Sequence, residues 1–258
     1  MKSGPLRNRR VSLRGIAPNI VTILALSAGM TSLKFALAGR WELAAFAILL
    51  AGVFDGIDGS IARLLKSVSR FGAELDSLSD VISFGVAPAA IVYLWALREL
   101  GGLGWVIALA YVICCALRLA RFNSKLDVED EPRKKAGFLT GIPAPMAAAL
   151  ALMPIILGFL TESDLFRSPA LVGITTALVS LGMVSRMATF SFKQLIIPGD
   201  QMVPLLPFVG LFAAAVTVYQ WAVVVTLGIA YLVSFPFSIR KFSRIEKAEA
   251  KGQGDSGS

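Results

Sequence analysis

The sequence predicts an all-α membrane protein, a bundle of about eight transmembrane helices. Of its 258 residues, 56% are hydrophobic and only 16% are charged, and a soluble domain of this length cannot bury so much apolar surface. Apolar stretches of about 18 residues or more recur along the chain, and a helix of that length crosses a bilayer. The period-2 alternation expected of a membrane β-barrel is absent from the sequence.

Each predicted span is an apolar stretch that ends at polar or charged residues. The first four are predicted at about 17–37, 41–65, 77–97 and 103–122. The other four are predicted at about 142–160, 169–187, 202–218 and 220–236, and the last two are closely joined.

The distribution of Lys and Arg predicts the orientation of these helices. Basic residues gather in the N-terminal tail, in the loops after the second, fourth and sixth spans, and in the C-terminal tail. Because cytoplasmic loops carry the excess of Lys and Arg, both termini are predicted to be cytoplasmic. The net charge of +8 is thereby explained without a nucleic-acid partner.

One domain is predicted, flanked by two short tails. Residues 1–15 form a basic cytoplasmic N-terminal tail, 16–238 a single transmembrane domain, and 239–258 a basic, partly disordered C-terminal tail. The chain has no histidine, which excludes His-based triads and His-containing zinc sites. A metal site must therefore use carboxylates and bind a hard ion such as Mg²⁺ or Mn²⁺.

The two cysteines, Cys114 and Cys115, are adjacent in an apolar stretch. Neighbours on one helix do not readily form a disulfide, and the chain contains no distant partner. They are expected to contribute to packing.

Charge is concentrated in one unusual stretch, FDGIDGSIARLLKSVSRFGAELDSLSD, at residues 54–80. Asp55 and Asp58 are three residues apart and share a helical face, and Asp76 and Asp80, four apart, share a face of the next helix. The stretch SVSRF is expected to form a short turn, so the two helices are antiparallel neighbours. All four carboxylates are therefore predicted to meet.

Four such carboxylates at a membrane boundary would repel one another, and two divalent cations would balance them. Gly59, Ala62 and Gly72 leave room for a ligand beside the backbone, and Arg63 provides a planar cation suited to phosphate. Two other interpretations stay open. The stretch is also consistent with a salt-bridged polar turn or with the ion pathway of a transporter, although the outer halves of both helices offer almost no polar residues.

The stretch resembles the signature of the CDP-alcohol phosphatidyltransferase family, D-x2-D-G-x2-A-R-x8-G-x3-D-x3-D, and the resemblance in this part covers about residues 15–160. It implies that an alcohol attacks the phosphorus of a CDP-linked lipid and that CMP leaves. By the same resemblance two metal ions are held by four aspartates, and Asp80 is the general base. The metal ligands it implies are Asp55, Asp58, Asp76 and Asp80.

The resemblance also implies a binding site for the CDP-lipid. It includes the element APNIVT at residues 17–22, which is similar to the family's P-N-x2-T element. Pro18 and Asn19 are equally consistent with an ordinary helix start. The implied CDP-lipid contacts are Pro18, Asn19, Thr22, Gly59, Ala62, Arg63, Ser69 and Gly72.

Four further stretches resemble the members of that family that use serine as the acceptor. They are SLSDVISFGVAPA (77–89), ALRLARFN (116–123), FLTGIPAPMAAA (138–149) and SRMATFSFK (185–193). They imply transfer of the phosphatidyl group of CDP-diacylglycerol to L-serine, a step of phospholipid biosynthesis. A serine carboxylate suits an arginine partner, although arginines at a helix end also reach the interface simply to stay hydrated. The candidate acceptor contacts are Arg118, Arg121, Asn123, Gly141 and Pro143.

Several alternatives remain open at this stage. Choline, glycerol 3-phosphate and an inositol phosphate are alternative acceptors for the same transfer. An ion-coupled transporter is the competing class of protein. The resemblance further implies a homodimer in the bacterial cytoplasmic membrane, with the active site at the cytoplasmic face and membrane lipid around it.

Overall fold

The computed structural model describes residues 13–65, 69–124, 138–185, 188–190 and 218–234. Nearly all of these residues are helical. The helices are α1 (Leu13–Leu37), α2 (Trp41–Leu64), α3 (Arg70–Asp80), α4 (Ala87–Trp95), α5 (Gly102–Ser124), α6 (Ala144–Ala151), α7 (Met153–Thr161), α8 (Pro169–Val184) and α9 (Gln220–Ser234).

Shorter helical pieces complete the path of the chain. A π-helical segment, Val81–Val86, joins α3 to α4, so that helix runs without a gap from Arg70 to Trp95. Single 3₁₀ turns at Leu97–Leu100 and Asp164–Arg167 precede α5 and α8.

Four helices are long and apolar enough to cross a membrane: Ile16–Leu37, Trp41–Leu64, Arg70–Trp95 and Gly102–Ser124. The bent pair α6–α7 adds a fifth when it is counted as one span, and α8 and α9 are shorter apolar helices. The predicted class, a multi-pass helical membrane protein, is therefore confirmed. The count of eight spans and the orientation of the termini stay predictions, and residues 202–217 of the span predicted at 202–218 lie outside the described residues.

The predicted fifth span is broken. One continuous span is predicted at about 142–160, but α6 and α7 meet at Leu152 with a bend of 41°. Pro154 lies two residues after the break. Proline lacks a backbone N–H, and its ring crowds the carbonyl four residues earlier, so a kink forms here.

The start of the first helix also differs from the expectation. Pro18 lies inside α1, which begins at Leu13, so the interpretation of Pro18 and Asn19 as a helix start is wrong. α1 continues through a residue that cannot donate a backbone hydrogen bond, which membrane helices tolerate because neighbouring groups satisfy the freed backbone carbonyl.

A short antiparallel pair of strands was not predicted. β1 (Phe138–Thr140) pairs with β2 (Ala188–Phe190), and Leu139 lies opposite Thr189. The pair joins the segment before α6 to the segment after α8.

An aromatic group lies at the end of the bundle where α2 begins and α4 ends. Trp41 and Trp95 meet edge to face with ring centroids 5.3 Å apart, and Phe159 lies 6.3 Å from Trp95 and 5.7 Å from Trp221. The indole Nε1 of Trp221 also donates to Glu42 Oε1 at 2.9 Å. These contacts attach the first turn of α9 to α2 and α7.

Small residues let α1 pack closely against the helix that contains α3. Two serine hydroxyls donate to carbonyls of α1: Ser79 to Thr22 and Ser83 to Ala25, each at a distance of 3.3 Å. Gly29 lies so close to Ser83 that a Cβ at Gly29 would be 2.8 Å from the Ser83 Cα. Small residues at such crossings are typical of membrane helices, because they allow the backbones to approach.

We expect Gly29→Ala to destabilise the protein by about 1–3 kcal/mol, because the new methyl would meet backbone that cannot move away. Thermal unfolding in detergent measures the effect. Gly102→Ala is the matched control, since a Cβ there has nothing within 4 Å. Equal unfolding temperatures for the two variants would contradict this packing.

Candidate functional site

Three of the four predicted carboxylates meet at one place. Asp55 of α2 and Asp76 and Asp80 of α3 each offer a carboxylate oxygen, and these oxygens all lie within 4.8 Å of one another. All three residues are half-buried. Three hard oxygen donors at this separation suit a divalent cation such as Mg²⁺, so the donor set fits the metal that the sequence predicts.

Asp58, three residues after Asp55 on α2, is not one of the three members of this cluster. It is buried, and its Oδ2 accepts a hydrogen bond of 2.8 Å from the Thr22 hydroxyl. The Thr22 hydroxyl also lies 3.1 Å from the carbonyl oxygen of Pro18. In this arrangement Asp58 connects α2 to α1 through a contact that was not predicted from the sequence.

The start of α3 brings together three of the predicted CDP-lipid residues. Ser69 has an extended backbone and is the N-cap, because its side chain accepts a hydrogen bond of 3.0 Å from the Gly72 amide. A Cβ at Gly72 would lie 3.0 Å from Asn19 Oδ1. Asn19, Ser69 and Gly72 therefore lie close together, and any residue larger than glycine at position 72 would crowd the side chains of Asn19 and Ser69.

Arg63 and Gly59 lie on the last turns of α2. Arg63 is exposed, and its Nη2 donates to Ser60 Oγ over 3.2 Å. A Cβ at Gly59 would be 3.9 Å from Arg63 Nη1, so the guanidinium lies over the glycine. Ala62 is half-buried on the same turn.

The candidate acceptor residues on α5 differ from one another in their contacts. Arg118 interacts electrostatically with Asp80 and Asp55 of the carboxylate cluster. Arg121 instead donates from Nη1 to the Val184 carbonyl at 2.9 Å, and so caps the C-terminal end of α8.

Asn123, the third candidate on α5, donates from Nδ2 to Ser77 Oγ at 2.8 Å. Ser77 follows Asp76 directly, so this bond holds the end of α5 against the carboxylate-bearing helix.

Gly141 and Pro143 lie next to α8. Gly141 has φ +75°, and a Cβ there would lie 3.1 Å from the Ser185 carbonyl oxygen, so the position requires glycine. The Ile142 amide donates to the Gly182 carbonyl at 3.2 Å, and Pro143 is the N-cap of α6. These contacts give the segment a structural role at the end of α8.

A π-helical segment that was not predicted from the sequence begins directly after Asp80. Its Phe84 carbonyl accepts a hydrogen bond of 3.0 Å from the hydroxyl of Tyr111, a fully buried residue of α5. π segments often occur at functional sites, because one extra residue per turn redirects the side chains. A Cβ at Gly85 would lie 3.3 Å from Cys115 Sγ, and both cysteines are free, as expected.

An apolar helical bundle with a cluster of carboxylates at one end defines a membrane protein with a candidate divalent-cation site. The family model described as CDP-alcohol phosphatidyltransferase matches residues 15–188. The chain therefore belongs to the CDP-alcohol phosphatidyltransferase family.

Individual relatives cover most of the chain. It is 34% identical over 239 residues to a CDP-diacylglycerol–serine O-phosphatidyltransferase of Mycobacterium leprae, covering 93% of this chain and 79% of the relative. It is 33% identical over 177 residues to the protein of that name from Bacillus subtilis, covering 69% of this chain and 91% of the relative. An archaetidylserine synthase of Methanothermobacter thermautotrophicus is 36% identical over 147 residues, covering 56% and 60%.

We expect Thr22→Val to destabilise the protein by about 1–3 kcal/mol, because the buried Asp58 carboxylate loses its donor. Thr22→Ser keeps the hydroxyl and is the matched control. Thermal unfolding of both variants in detergent tests the contact, and a Thr22→Val protein as stable as Thr22→Ser would refute it.

Proposed function

We propose that the chain transfers the phosphatidyl group of CDP-diacylglycerol to the hydroxyl of L-serine, giving phosphatidylserine and CMP. The observation that carries this proposal is the carboxylate cluster of Asp55, Asp76 and Asp80 within the region that matches the family. The names of the relatives from Mycobacterium leprae and Bacillus subtilis favour serine over choline, glycerol 3-phosphate or an inositol phosphate. Membership of a transferase family favours an enzyme over an ion-coupled transporter.

We further propose that Asp55, Asp58, Asp76 and Asp80 hold two divalent ions, either Mg²⁺ or Mn²⁺. When bound, such ions stabilise the charge of the pyrophosphate and of the departing CMP. Asp58 follows Asp55 by three residues on α2 and would join the ligand set through Oδ1, the carboxylate oxygen that does not accept the hydrogen bond from Thr22.

Asp80 is proposed as the general base. The serine hydroxyl oxygen bonds to the phosphorus that carries diacylglycerol, and its proton passes to the Asp80 carboxylate. The bond from that phosphorus to the bridging oxygen breaks, and CMP leaves with the electron pair. An aspartate is a weak base for an alcohol, so orientation of the two substrates must supply much of the rate.

The CDP-lipid is proposed to lie along α1, the end of α2 and the start of α3. Asn19, Ser69 and Gly72, which lie close together at the start of α3, offer polar groups to the nucleotide, and the exposed Arg63 guanidinium suits a phosphate. The remaining proposed contacts of the CDP-lipid are Pro18, Thr22, Gly59 and Ala62.

The acceptor is proposed to approach from the side of α5. Arg118 is the candidate that interacts electrostatically with Asp80. Arg121, Asn123, Gly141 and Pro143 are proposed to shape this side of the site through their contacts with α8 and α3.

We propose that the enzyme functions as a homodimer in the bacterial cytoplasmic membrane, surrounded by lipid. The excess of Lys and Arg in alternate loops supports cytoplasmic termini, eight spans and an active site at the cytoplasmic face. The proposed catalytic domain is 16–238, between a basic N-terminal tail at 1–15 and a partly disordered basic tail at 239–258.

Purified protein is expected to release CMP from CDP-diacylglycerol only when serine and a divalent ion are both present. EDTA should abolish CMP release, and Mg²⁺ or Mn²⁺ should restore it, because the carboxylates alone repel the pyrophosphate. Parallel assays with choline, glycerol 3-phosphate and inositol phosphate test the acceptor. Release that persists in EDTA would refute the metal site, and preferred turnover of another alcohol would refute serine.

Asp80→Asn is expected to lower turnover at least about 100-fold, because the amide cannot accept the serine proton. Initial rates of CMP release at saturating substrates measure the change. Asp164→Asn is the matched control, since Asp164 is exposed in the turn before α8. Near-normal turnover by Asp80→Asn would remove this residue from the role of base.

A further inference from the structure

Arg118 has a buried donor that no described residue satisfies. Its Nε is inaccessible to solvent and has no hydrogen-bond partner within the described part of the chain. Arg121, three residues later, differs because it donates to the Val184 carbonyl. A buried N–H without an acceptor is costly, so the position of Arg118 favours a ligand that brings an acceptor atom to it.

A residue of α9 lies within electrostatic range of Arg118. Tyr231 is 3% exposed and is close enough to interact electrostatically with the Arg118 guanidinium. α9 lies beyond residues 15–188, the region that matches the family, so the signature gives no reason to expect a contribution from it.

The far end of α9 is held in place independently. Trp221 donates to Glu42 and packs against Phe159. Ten residues separate Trp221 from Tyr231, which corresponds to about 15 Å along a helix. The contacts of Trp221 therefore fix the position of Tyr231 along the bundle relative to Arg118.

We propose that Tyr231 and Arg118 together bind the carboxylate of the acceptor amino acid, which makes α9 part of the acceptor site. A guanidinium and a phenol are both hydrogen-bond donors, and a carboxylate has two oxygens that accept from such a pair. The proposal rests on the proposed function, because it assigns the contacts of serine. It makes Tyr231 a residue that determines acceptor specificity.

A competing role for the pair is to balance the charge of the aspartates. Arg118 also interacts with Asp80 and Asp55, so loss of the pair would then weaken metal binding. The two roles differ in which ligand is affected, serine or the divalent ion.

The test uses the full chain in detergent with CDP-diacylglycerol and Mg²⁺. Tyr231→Phe keeps the ring and removes the hydroxyl, and we expect it to raise the KM for serine about tenfold. The KM for CDP-diacylglycerol and the Mg²⁺ concentration for half-maximal rate should not change. Tyr219→Phe is the matched control, because Tyr219 is 67% exposed just before the same helix.

Two further measurements support the same test. Ethanolamine is serine without its carboxylate, so the preference for serine over ethanolamine should fall in Tyr231→Phe. Arg118→Lys keeps the positive charge but removes Nε, and it should also raise the KM for serine while a measurable rate remains.

Several results would overturn the inference. A serine KM in Tyr231→Phe or Arg118→Lys that matches Tyr219→Phe would remove the pair from carboxylate binding. A shift in the Mg²⁺ requirement with an unchanged serine KM would assign the pair to charge balance instead. Failure of the proposed function is distinguishable, because the unmodified chain would then show no turnover with serine.

Discussion

Repulsion between like charges is the constraint on which this structure depends. The carboxylates of Asp55, Asp76 and Asp80 have oxygens within 4.8 Å of one another at one end of an apolar bundle. Near a protein surface, two unit charges at about 4 Å repel by about 4 kcal/mol, so the cluster needs cations. One cation is already present, since the Arg118 guanidinium lies within electrostatic range of Asp80. Asp58 accepts a hydrogen bond from the Thr22 hydroxyl instead.

A charged cluster of this kind requires rigid surroundings, and contacts with α1 provide much of that rigidity. Ser79 and Ser83 donate to α1 carbonyls, and Gly29 allows the backbones to approach. On the other side, Tyr111 donates to the carbonyl of Phe84 in the π segment. The helix that carries Asp76 and Asp80 is thus held by polar contacts on two sides, and its carboxylates keep their separation.

Much of the site could be predicted from the sequence because helical periodicity alone puts Asp76 on one face with Asp80. The separation of Asp58 from the three-carboxylate cluster was not predictable, since it depends on Thr22 of another helix. The role of Arg121 as a cap of α8 depends on a contact between residues 63 positions apart.

Other features leave no periodic signal in the chain. The π segment is a widening of one helix within an apolar stretch, and β1 pairs with residues about fifty positions away. By contrast, the number and length of the first four helices follow from hydrophobic length, because a helix needs about 20 apolar residues to cross a typical bilayer.

The hydrogen bond between Thr22 and Asp58 has a consequence for how the surrounding bilayer acts on the enzyme. Thr22 is buried, but its neighbours Ile20, Ile23 and Leu24 are about half exposed on the outer face of α1. A change in hydrocarbon thickness alters the tilt of such a helix, and that tilt would be transmitted through the Thr22 hydroxyl to the carboxylate of Asp58, a proposed metal ligand. The thickness of the surrounding bilayer would therefore influence the position of a carboxylate that the proposed reaction uses.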